Sequence, residues 1–537
     1  MEERAFNLCR EPWICVLDRD YRVKKVSFVE VLTQSSRYLA LAGETETQNI
    51  AVLRLLLALL HTVFYRQDEK GNSIPLDDNE EALRRWKAIW ELGEFPAKPI
   101  EDYLKKWEDR FWLFDPQYPF YQVPGITGTS NPAKKMNGAL VESSNKIQLF
   151  PLRSGRRKEE LAFDEAARWL IYLQAFDDTA AKDPSPKQCW PSCLGLVIVR
   201  AKSLFETLML NLVLLKNGIE PWGEPRPAWE RDEPKKDKRT EIAQPDNQPE
   251  LLSMQCRRVL LHRKGDVVDS YVDAAGDYLE KENVFSEQMT LWTVQRKGKE
   301  TERTVPKPHD PARQMWRDFA SVCGSGGREP GVLVWVKTLK KERILGRDRL
   351  VALQIAGLVY GGMNCGVVDE FSDALELHAS LLEDLDRKWQ DRVVDEVAYC
   401  EQLAKAVWYL ALDLDKAQEG DGKAGSAKQK QDEKKKQVEE QLYYRFDLPF
   451  RRWLRAIDPE GSLSQGKAHL DAWKETAADI AKAYGRELAE QAGPRAIVGR
   501  TVKEKIGSKE VERHYSAGEA FNSFLYQVKK IQTEHDR

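Results

Sequence analysis

The chain is poor in cysteine and histidine, with eight cysteines and seven histidines among 537 residues. The closest cysteine pair is Cys189-x-x-x-Cys193, with Cys9 and Cys15 more loosely spaced, and no second pair or histidine cluster completes the spacing of a zinc site. Scattered cysteines are typical of buried, reduced thiols. We therefore expect a cytoplasmic protein that uses no metal or other cofactor.

An excess of charge of one sign is also missing. Lysine and arginine number 83 against 86 aspartates and glutamates, a formal net charge of −3. This balance excludes nucleic-acid binding through the overall charge, so any such contact must be local. Long apolar runs are absent as well, since the most apolar segment, residues 50–64, contains Arg54 and His61. With no basic-then-apolar leader visible, that segment predicts a buried helix and no membrane contact.

The common catalytic motifs are missing too. We find no G-x-x-x-x-G-K-[ST] phosphate loop, no G-x-S-x-G nucleophile elbow, no H-E-x-x-H, and no paired histidine and aspartate arrangement that would hold two metal ions. The pair His309-Asp310 precedes Pro311, a pattern that predicts a helix cap rather than a metal ligand. These absences favour a binding protein, with an enzyme that has an unfamiliar site as an open alternative.

What the sequence does contain is an aromatic corner followed by a basic loop, in residues 107–150. Large aromatic side chains crowd its first half around Pro116 and Pro119, which forbid a continued helix and predict a fixed turn over buried rings. The second half is polar and carries Lys134 and Lys135. Two interpretations fit this pattern: an ordinary surface loop, and a loop held out towards an anionic partner.

Mixed periodicities up to about residue 371 predict an α/β region. The expected strands include 195–201, 258–262, 266–272, 290–296 and 332–336, and the expected helices include 47–65, 80–91, 99–111, 163–176, 203–215 and 311–322. From about 372, strand signals disappear and four long amphipathic helices are expected, at 373–416, 432–456, 463–488 and 518–530. Residues 416–437 are low in apolar side chains and predict a flexible connector. We predict an α+β fold, with a mixed α/β domain over 1–371 and an all-α four-helix bundle over 372–537.

Several stretches occur together in an order that is typical of one family. They are FNLCREPWICV, WEDRFWLFDPQYPFYQV, NKIQLF, FDEAARWLIYLQAF, SLFETLMLNLVLL and PAWERD, followed by the pair Gly361-Gly362 and a helical C-terminal block. In this order they resemble the CasA family, the large subunit of the type I-E CRISPR Cascade complex. The resemblance implies a non-catalytic protein whose first domain recognises a protospacer-adjacent motif in double-stranded DNA. It also implies that the protein aids strand separation for the guide RNA and docks a helicase-nuclease recruited in trans.

The resemblance further implies four DNA-contacting segments. They are the loop before NKIQLF, the segment 177–188 where the family has a glycine loop, a lysine finger, and a wedge after the glycine pair. The candidate residues are Lys134, Lys135, Asn137, Ser144, Asn145 and Lys146 in the first segment, Lys182 and Lys187 in the second, Lys281 as the finger, and Asn364, Cys365 and Gly366 at the wedge. Lysines suit phosphates, and amides suit the acceptor edges of a groove.

Two segments depart from the family pattern. Residues 177–188 contain no glycine, and the two leading aspartates, of which Asp177 is the first, are expected to repel phosphate. At the wedge, Cys365 stands where the family has a glutamine, so either Asn364 or Met363 takes this role or the DNA is opened differently. The motif that is read stays open, and an interaction scaffold without DNA contact is the alternative function.

Overall fold

The computed structural model describes residues 4–136, 155–177, 188–192, 194–232, 240–296, 302–324, 327–346, 349–361, 366–382, 388–418, 424–459, 461–506 and 509–535. It has the mixed α and β architecture with a helical C-terminal region that the sequence predicts. Contacts divide the chain into two compact units. The first comprises residues 1–311 and 321–374, and the second comprises residues 312–320 and 375–537.

Short strands and helices alternate up to residue 382. The strands are β1 (Ala5–Asn7), β2 (Ile14–Asp18), β3 (Val23–Val26), β4 (Tyr38–Leu41), β5 (Trp112–Phe114), β6 (Ser130–Pro132), β7 (Leu161–Ala162), β8 (Leu196–Arg200), β9 (Leu215–Lys216), β10 (Glu220–Pro221), β11 (Thr240–Glu241), β12 (Arg257–Lys264), β13 (Val267–Ala275), β14 (Asp277–Tyr278), β15 (Trp292–Gln295), β16 (Arg303–Pro306), β17 (Leu350–Tyr360) and β18 (Val367–His378). The helices are α1 (Phe28–Thr33), α2 (Glu46–Arg66), α3 (Asn79–Leu92), α4 (Ala97–Lys106), α5 (Arg156–Glu159), α6 (Phe163–Phe176), α7 (Leu204–Asn211), α8 (Gln248–Leu252), α9 (Phe319–Val322), α10 (Gly331–Lys341) and α11 (Ala379–Leu382).

Helix α2 runs through the interior of the first unit. Thr45 caps its N-terminus, where the side-chain oxygen accepts a hydrogen bond from the Gln48 amide. By length and composition it is the one helix of the described residues that could cross a membrane, and 94% of its apolar 18-residue window is buried inside the protein. Its Arg54 forms a buried ion pair with Glu287 at 2.9 Å. The buried helix predicted over 50–64 is therefore confirmed.

Strands β12, β13, β6 and β7 form one four-stranded sheet. Strands β12 and β13 form an antiparallel hairpin that starts with Arg257 opposite Ala275 and closes with Lys264 opposite Val267. Both β6 and β7 pair with β13, close to one another. The chain therefore leaves this sheet after β6 and returns to the same strand at β7.

The structure corrects two of the predicted elements. Residues 332–336 belong to helix α10 and do not form a strand. A five-residue apolar run has no distinguishing period of its own, whereas the longer stretch buries its apolar side chains with helical spacing. The helix predicted over 311–322 is a 3₁₀ turn at 315–318 followed by the short α9.

Within the described residues, the second unit is built on four long helices. They are α12 (Lys388–Gln418), α13 (Ala424–Arg455), α14 (Leu463–Glu490) and, after the short α15 (Pro494–Val498), α16 (Ala517–His535). Helix α12 packs against the other three long helices. Trp473 of α14 is buried beside Phe450 and Trp453 of α13, with ring centroids 5.0 and 5.6 Å away. Aromatic packing of this kind forms the interior of the helical unit.

The helical unit differs from the prediction in three places. Strand β18 continues to His378, so the first long helix begins at Lys388 rather than at 373. Helix α13 begins at Ala424, inside the segment 416–437 expected to be a connector, because lysine, glutamine and glutamate are good helix formers even without apolar neighbours. A hairpin of β19 (Arg500–Ile506) and β20 (Lys509–Tyr515) adds strands to a region predicted as all-helical. Its residues are mostly charged, so the apolar alternation of a half-buried strand is missing.

Candidate nucleic-acid interface

The segment between β6 and β7 leaves and re-enters the sheet at one place. Ser270 of β13 pairs with Pro132 of β6, and Val268 pairs with Leu161 of β7. Two residues of a strand span about 7 Å, so the two ends of the segment lie close together. This is the base of the first predicted DNA-contacting loop. Four of its predicted contact residues lie outside the described part of the chain: Asn137, Ser144, Asn145 and Lys146.

Lys134 and Lys135 lie at this base, in a 3₁₀ turn whose first and last residues are buried. The Lys134 ammonium is 3.0 Å from the Glu159 carboxylate, across the base of the loop. Lys135 is exposed and donates a hydrogen bond to the side-chain oxygen of Asn131 at 3.1 Å. The buried Ala133 and Met136 fix the turn on the sheet, and the two lysines lie between them at the surface.

The fold brings further cations to the same place, and these were not among the predicted site residues. Arg156 and Lys158 precede β7 on the short helix α5, which contacts the turn that carries Lys134. Arg263 and Lys264 lie at the closing end of the β12–β13 hairpin, beside the point where β7 joins β13. We call this group the cationic end, and it consists of Lys134, Lys135, Arg156, Lys158, Arg263 and Lys264. Pairing between strands far apart in the sequence brings these residues together, so no local pattern could have revealed them.

A two-residue turn closes the hairpin beyond Lys264. Gly265 has φ +63, a value that glycine adopts without strain in such turns. Carboxylates are also present at this end, in Glu159, Glu160 and Asp266, but they are fewer than the basic side chains. The cationic end can therefore neutralise phosphates locally on a chain whose overall charge is slightly negative.

The opposite end of the same hairpin is also basic, but its charges are buried. Arg257 is ion-paired with Asp177 at 2.7 Å, and Arg258 is ion-paired with Asp277 at 2.6 Å. We call these four residues the buried end. Their charges are compensated inside the protein, so both arginines support the fold. The same ion pair compensates the Asp177 carboxylate, which therefore does not act as the free repelling charge expected from the sequence.

The second predicted segment begins at Asp177, a residue of the buried end. Its candidate residues Lys182 and Lys187 lie outside the described residues. At the point where α6 ends, the hydroxyl of Tyr360 donates a hydrogen bond to the carbonyl of Phe176. The end of β17 is therefore held against the end of α6.

The predicted wedge belongs to the connection between β17 and β18. The Gly361 amide donates a hydrogen bond to the Gly366 carbonyl at 3.0 Å, and Gly366 has φ +73, so the end of β17 and the start of β18 are held side by side. Gly366 is the member of the predicted wedge that the structure describes. Asn364 and Cys365 lie outside the described residues.

Lys281 follows β13 and β14 in the chain, at the end of the β12–β13 hairpin that is opposite to the cationic end. It comes after β14, which continues from the Ala275 end of β13, and it is exposed between Glu280 and Glu282. Five residues of strand, from Ser270 to Ala275, extend about 17 Å. Its place in the chain is therefore beside the buried end, and the cationic end is defined without it.

Among the described residues, no group of three or more His, Cys, Asp or Glu side chains could hold a metal ion. His309, expected at a helix cap, instead packs against Phe371, with the ring centroids 5.0 Å apart and the ring planes tilted by 36°. The 3₁₀ turn that follows begins after Gln314. The cysteines that the structure describes are buried and free of disulfides, namely Cys9, Cys15, Cys189, Cys256, Cys323 and Cys400. In the described part of the chain, the candidate interface is therefore marked by its basic side chains.

Comparison with known proteins decides the family. A sequence model of the family described as CRISPR-associated protein Cse1 matches residues 7–484. The chain belongs to this family. CasA/Cse1 of Thermus thermophilus is 26% identical over 495 residues, which cover 88% of this chain and 92% of the relative.

Solved structures share the fold as well. Cse1 of Thermobifida fusca has a TM-score of 0.82 at 27% identity and covers 99% of this chain and 98% of its own. A chain from a structure described as a CRISPR RNA-guided surveillance complex has a TM-score of 0.70 at 14% identity, covering 98% of this chain and 100% of its own. The second likeness concerns the fold alone. The family resemblance inferred from the sequence is confirmed.

Proposed function

We propose that this chain is the non-catalytic large subunit of a type I-E CRISPR Cascade complex. In this role it recognises a protospacer-adjacent motif in double-stranded DNA, aids strand separation and recruits a helicase-nuclease. Membership of the Cse1 family over residues 7–484 supports the assignment to the complex. The observation that carries the DNA contact is the cationic end, a local positive surface on a chain with a net charge of −3.

The cationic end supplies affinity that does not depend on sequence. Its lysines and arginines neutralise backbone phosphates and release counterions, so binding weakens as salt rises. Asn137 and Asn145 offer amides to the edges of bases in a groove, with Ser144 and Lys146 beside them. Phosphate contacts of this kind hold the duplex in register while the amides read it.

The remaining candidates extend the contact and open the duplex. Lys182, Lys187 and Lys281 meet further phosphates, and Asn364, Cys365 and Gly366 form the wedge. Inserting a side chain between base pairs costs on the order of a few kcal/mol per step, which phosphate contacts and pairing with the guide RNA offset. The partners are therefore duplex DNA, the other subunits of the guide-RNA complex and the helicase-nuclease, in the cytoplasm and without a cofactor.

Reconstitution tests this function. A guide-RNA complex that lacks its large subunit is supplied with this chain, and its affinity is measured for target duplexes with randomised flanking motifs. We expect tight binding to a subset of motifs. A complex that incorporates the chain and stays indifferent to the flanking motif would contradict the proposal.

An interaction scaffold without DNA contact is the alternative, and exposed apolar side chains on the helical unit favour it. Tyr444 and Leu448 lie one turn apart on α13 and are 75% and 53% exposed. Charge reversal of Lys134, Lys135 and Lys146 separates the two functions. A scaffold keeps its assembly and activity in this variant, whereas a DNA-recognition subunit loses duplex affinity.

A further inference from the structure

A side-chain hydrogen bond joins helix α6 to the β17–β18 hairpin. The hydroxyl of Tyr360, the last residue of β17, donates to the carbonyl of Phe176, the last residue of α6. A carbonyl in the last turn of a helix has no donor within the helix, so the tyrosine satisfies an acceptor that would otherwise need water. The contact lies one residue before Gly361, where the hairpin turn begins, and one residue before Asp177 of the buried end.

The end of α6 is also fixed to the sheet. Asp177 is ion-paired with Arg257 at 2.7 Å, and the Gln174 side-chain oxygen accepts a hydrogen bond from the Arg257 amide at 3.0 Å. Arg257 is 2% exposed, so this attachment is shielded from water and salt. The point from which the chain leaves α6 is therefore set by strand β12.

The hairpin has its own attachment, at the N-terminus of α2. The Glu370 carboxylate on β18 accepts hydrogen bonds from the Thr47 amide at 2.7 Å and from the Thr47 hydroxyl at 2.6 Å. A carboxylate is favoured at this position because the first amides of a helix lack partners and the helix dipole is positive there. Glu370 thus ties the hairpin to the core helix, and Tyr360 ties it to α6.

We infer that Tyr360 is a positioning residue that holds the end of α6 and the base of the β17–β18 hairpin at a fixed separation. Under the proposed function, Tyr360 thereby fixes the spacing between the two points from which the second predicted segment and the wedge connection leave the described chain. The inference rests on the proposed function and adds to it the side chain that couples two of its elements. Its effect is one of geometry, since a misplacement of about 1 Å between contacting elements is enough to weaken a finely placed interaction.

The test removes the hydroxyl and keeps the ring, in the variant Tyr360→Phe. In the reconstituted guide complex, we expect the ratio of affinities for duplexes with and without the preferred motif to fall about tenfold, the effect of one well-placed hydrogen bond. Affinity for the motif-free duplex should not change. Tyr103→Phe is the control for a structural loss, because the Tyr103 hydroxyl donates to Glu230 at 2.7 Å. We expect it to lower the melting temperature and leave the ratio unchanged.

The outcomes separate this inference from the function on which it rests. Absence of any motif preference with the unmodified chain defeats the proposed function. A preference that Tyr360→Phe leaves intact, or a loss of affinity that is equal for both duplexes, overturns the coupling and leaves the function standing. If Tyr360→Phe does not fold, Glu370→Gln carries the test, because it loosens the hairpin's other attachment and is expected to lower the same ratio.

Discussion

Strand β12 is basic at both ends, and its two ends have opposite environments. At the buried end, Arg257 and Arg258 are 2% and 0% exposed, and each meets a carboxylate. At the cationic end, Arg263 is half-buried and Lys264 is exposed beside a tight turn. An arginine in the sequence is therefore neither structural nor functional by itself. What decides is whether the fold buries the side chain or leaves it at the surface.

Burial turns this contrast into a difference in energy. Removing one partner of a buried ion pair leaves the other charge unpaired in a medium that solvates it poorly, whereas an exposed cation contributes little to stability. An exposed cation stays available to an anionic ligand instead. The two ends of β12 should therefore respond in opposite ways to the same substitution.

The largest effect is expected for Arg258→Gln. The change leaves the Asp277 carboxylate buried without its closest guanidinium, so we expect the free energy of unfolding to fall by about 3–5 kcal/mol. Urea unfolding followed by circular dichroism measures this loss. A loss below about 1 kcal/mol, the size found for exposed ion pairs, would show that the buried end does not differ from the cationic end.

A buried histidine, His61 of α2, also affects stability through its burial, and we expect a smaller change in the free energy of unfolding there. Burial lowers the pKa of His61 in α2 from 6.5 to about 3. Between these values the unfolded chain binds a proton that the folded chain does not bind. The contribution of neutral His61 to the free energy of unfolding is therefore fully present above pH 6.5. It falls by about 1.4 kcal/mol per pH unit as the pH drops below 6.5.

The variant His61→Gln should flatten this part of the pH profile. Urea midpoints measured between pH 5 and pH 7 give the slope, and the same substitution at the exposed His262 of β12 is the control. An unchanged slope in His61→Gln would mean that this histidine is not held neutral by burial.

The smallest effect on stability is expected for Arg263→Gln, the same chemical change at the other end of β12. The Arg263 guanidinium lies 5.5 Å from the centroid of the Phe114 ring, at a half-exposed position, so we expect a change within about 0.5 kcal/mol. The urea experiment used for Arg258 measures it. A loss as large as at Arg258 would make Arg263 a structural residue and remove it from the cationic end.

The sequence pattern was sufficient to predict an element wherever that element depends only on residues within its own segment. Helix α6 begins and ends at the residues predicted, 163 and 176, because apolar periodicity and an acidic first turn both lie within the segment. Helix α10 was misassigned because VLVWV alone fits a buried strand and a buried helix equally well. The β19–β20 hairpin was missed because its side chains are mostly charged, and charged strands lack the alternation on which the prediction depends.

The candidate site shows the same limit more clearly. The family resemblance pointed to Lys134 and Lys135, but nothing near them in the sequence indicates Arg263 or Lys264 as neighbours. The connection is made by β13, which pairs with β6, β7 and β12 at once. Strand pairing over such separations is set by the whole fold, and so is the burial that makes Arg257 structural.

The salt dependence of duplex binding tests the central claim most directly, namely that the cationic end contacts the DNA backbone. The variant neutralises Lys135, Lys158, Arg263 and Lys264 to glutamine, and the slope of log affinity against log salt is measured in the reconstituted complex. The control neutralises Lys87 and Lys105, exposed lysines of α3 and α4.

We predict that the slope becomes less steep by about 0.9 for each phosphate contact that is lost, with no change in the control. A slope that is the same in the variant and in the unmodified chain would contradict the claim that this surface meets the duplex.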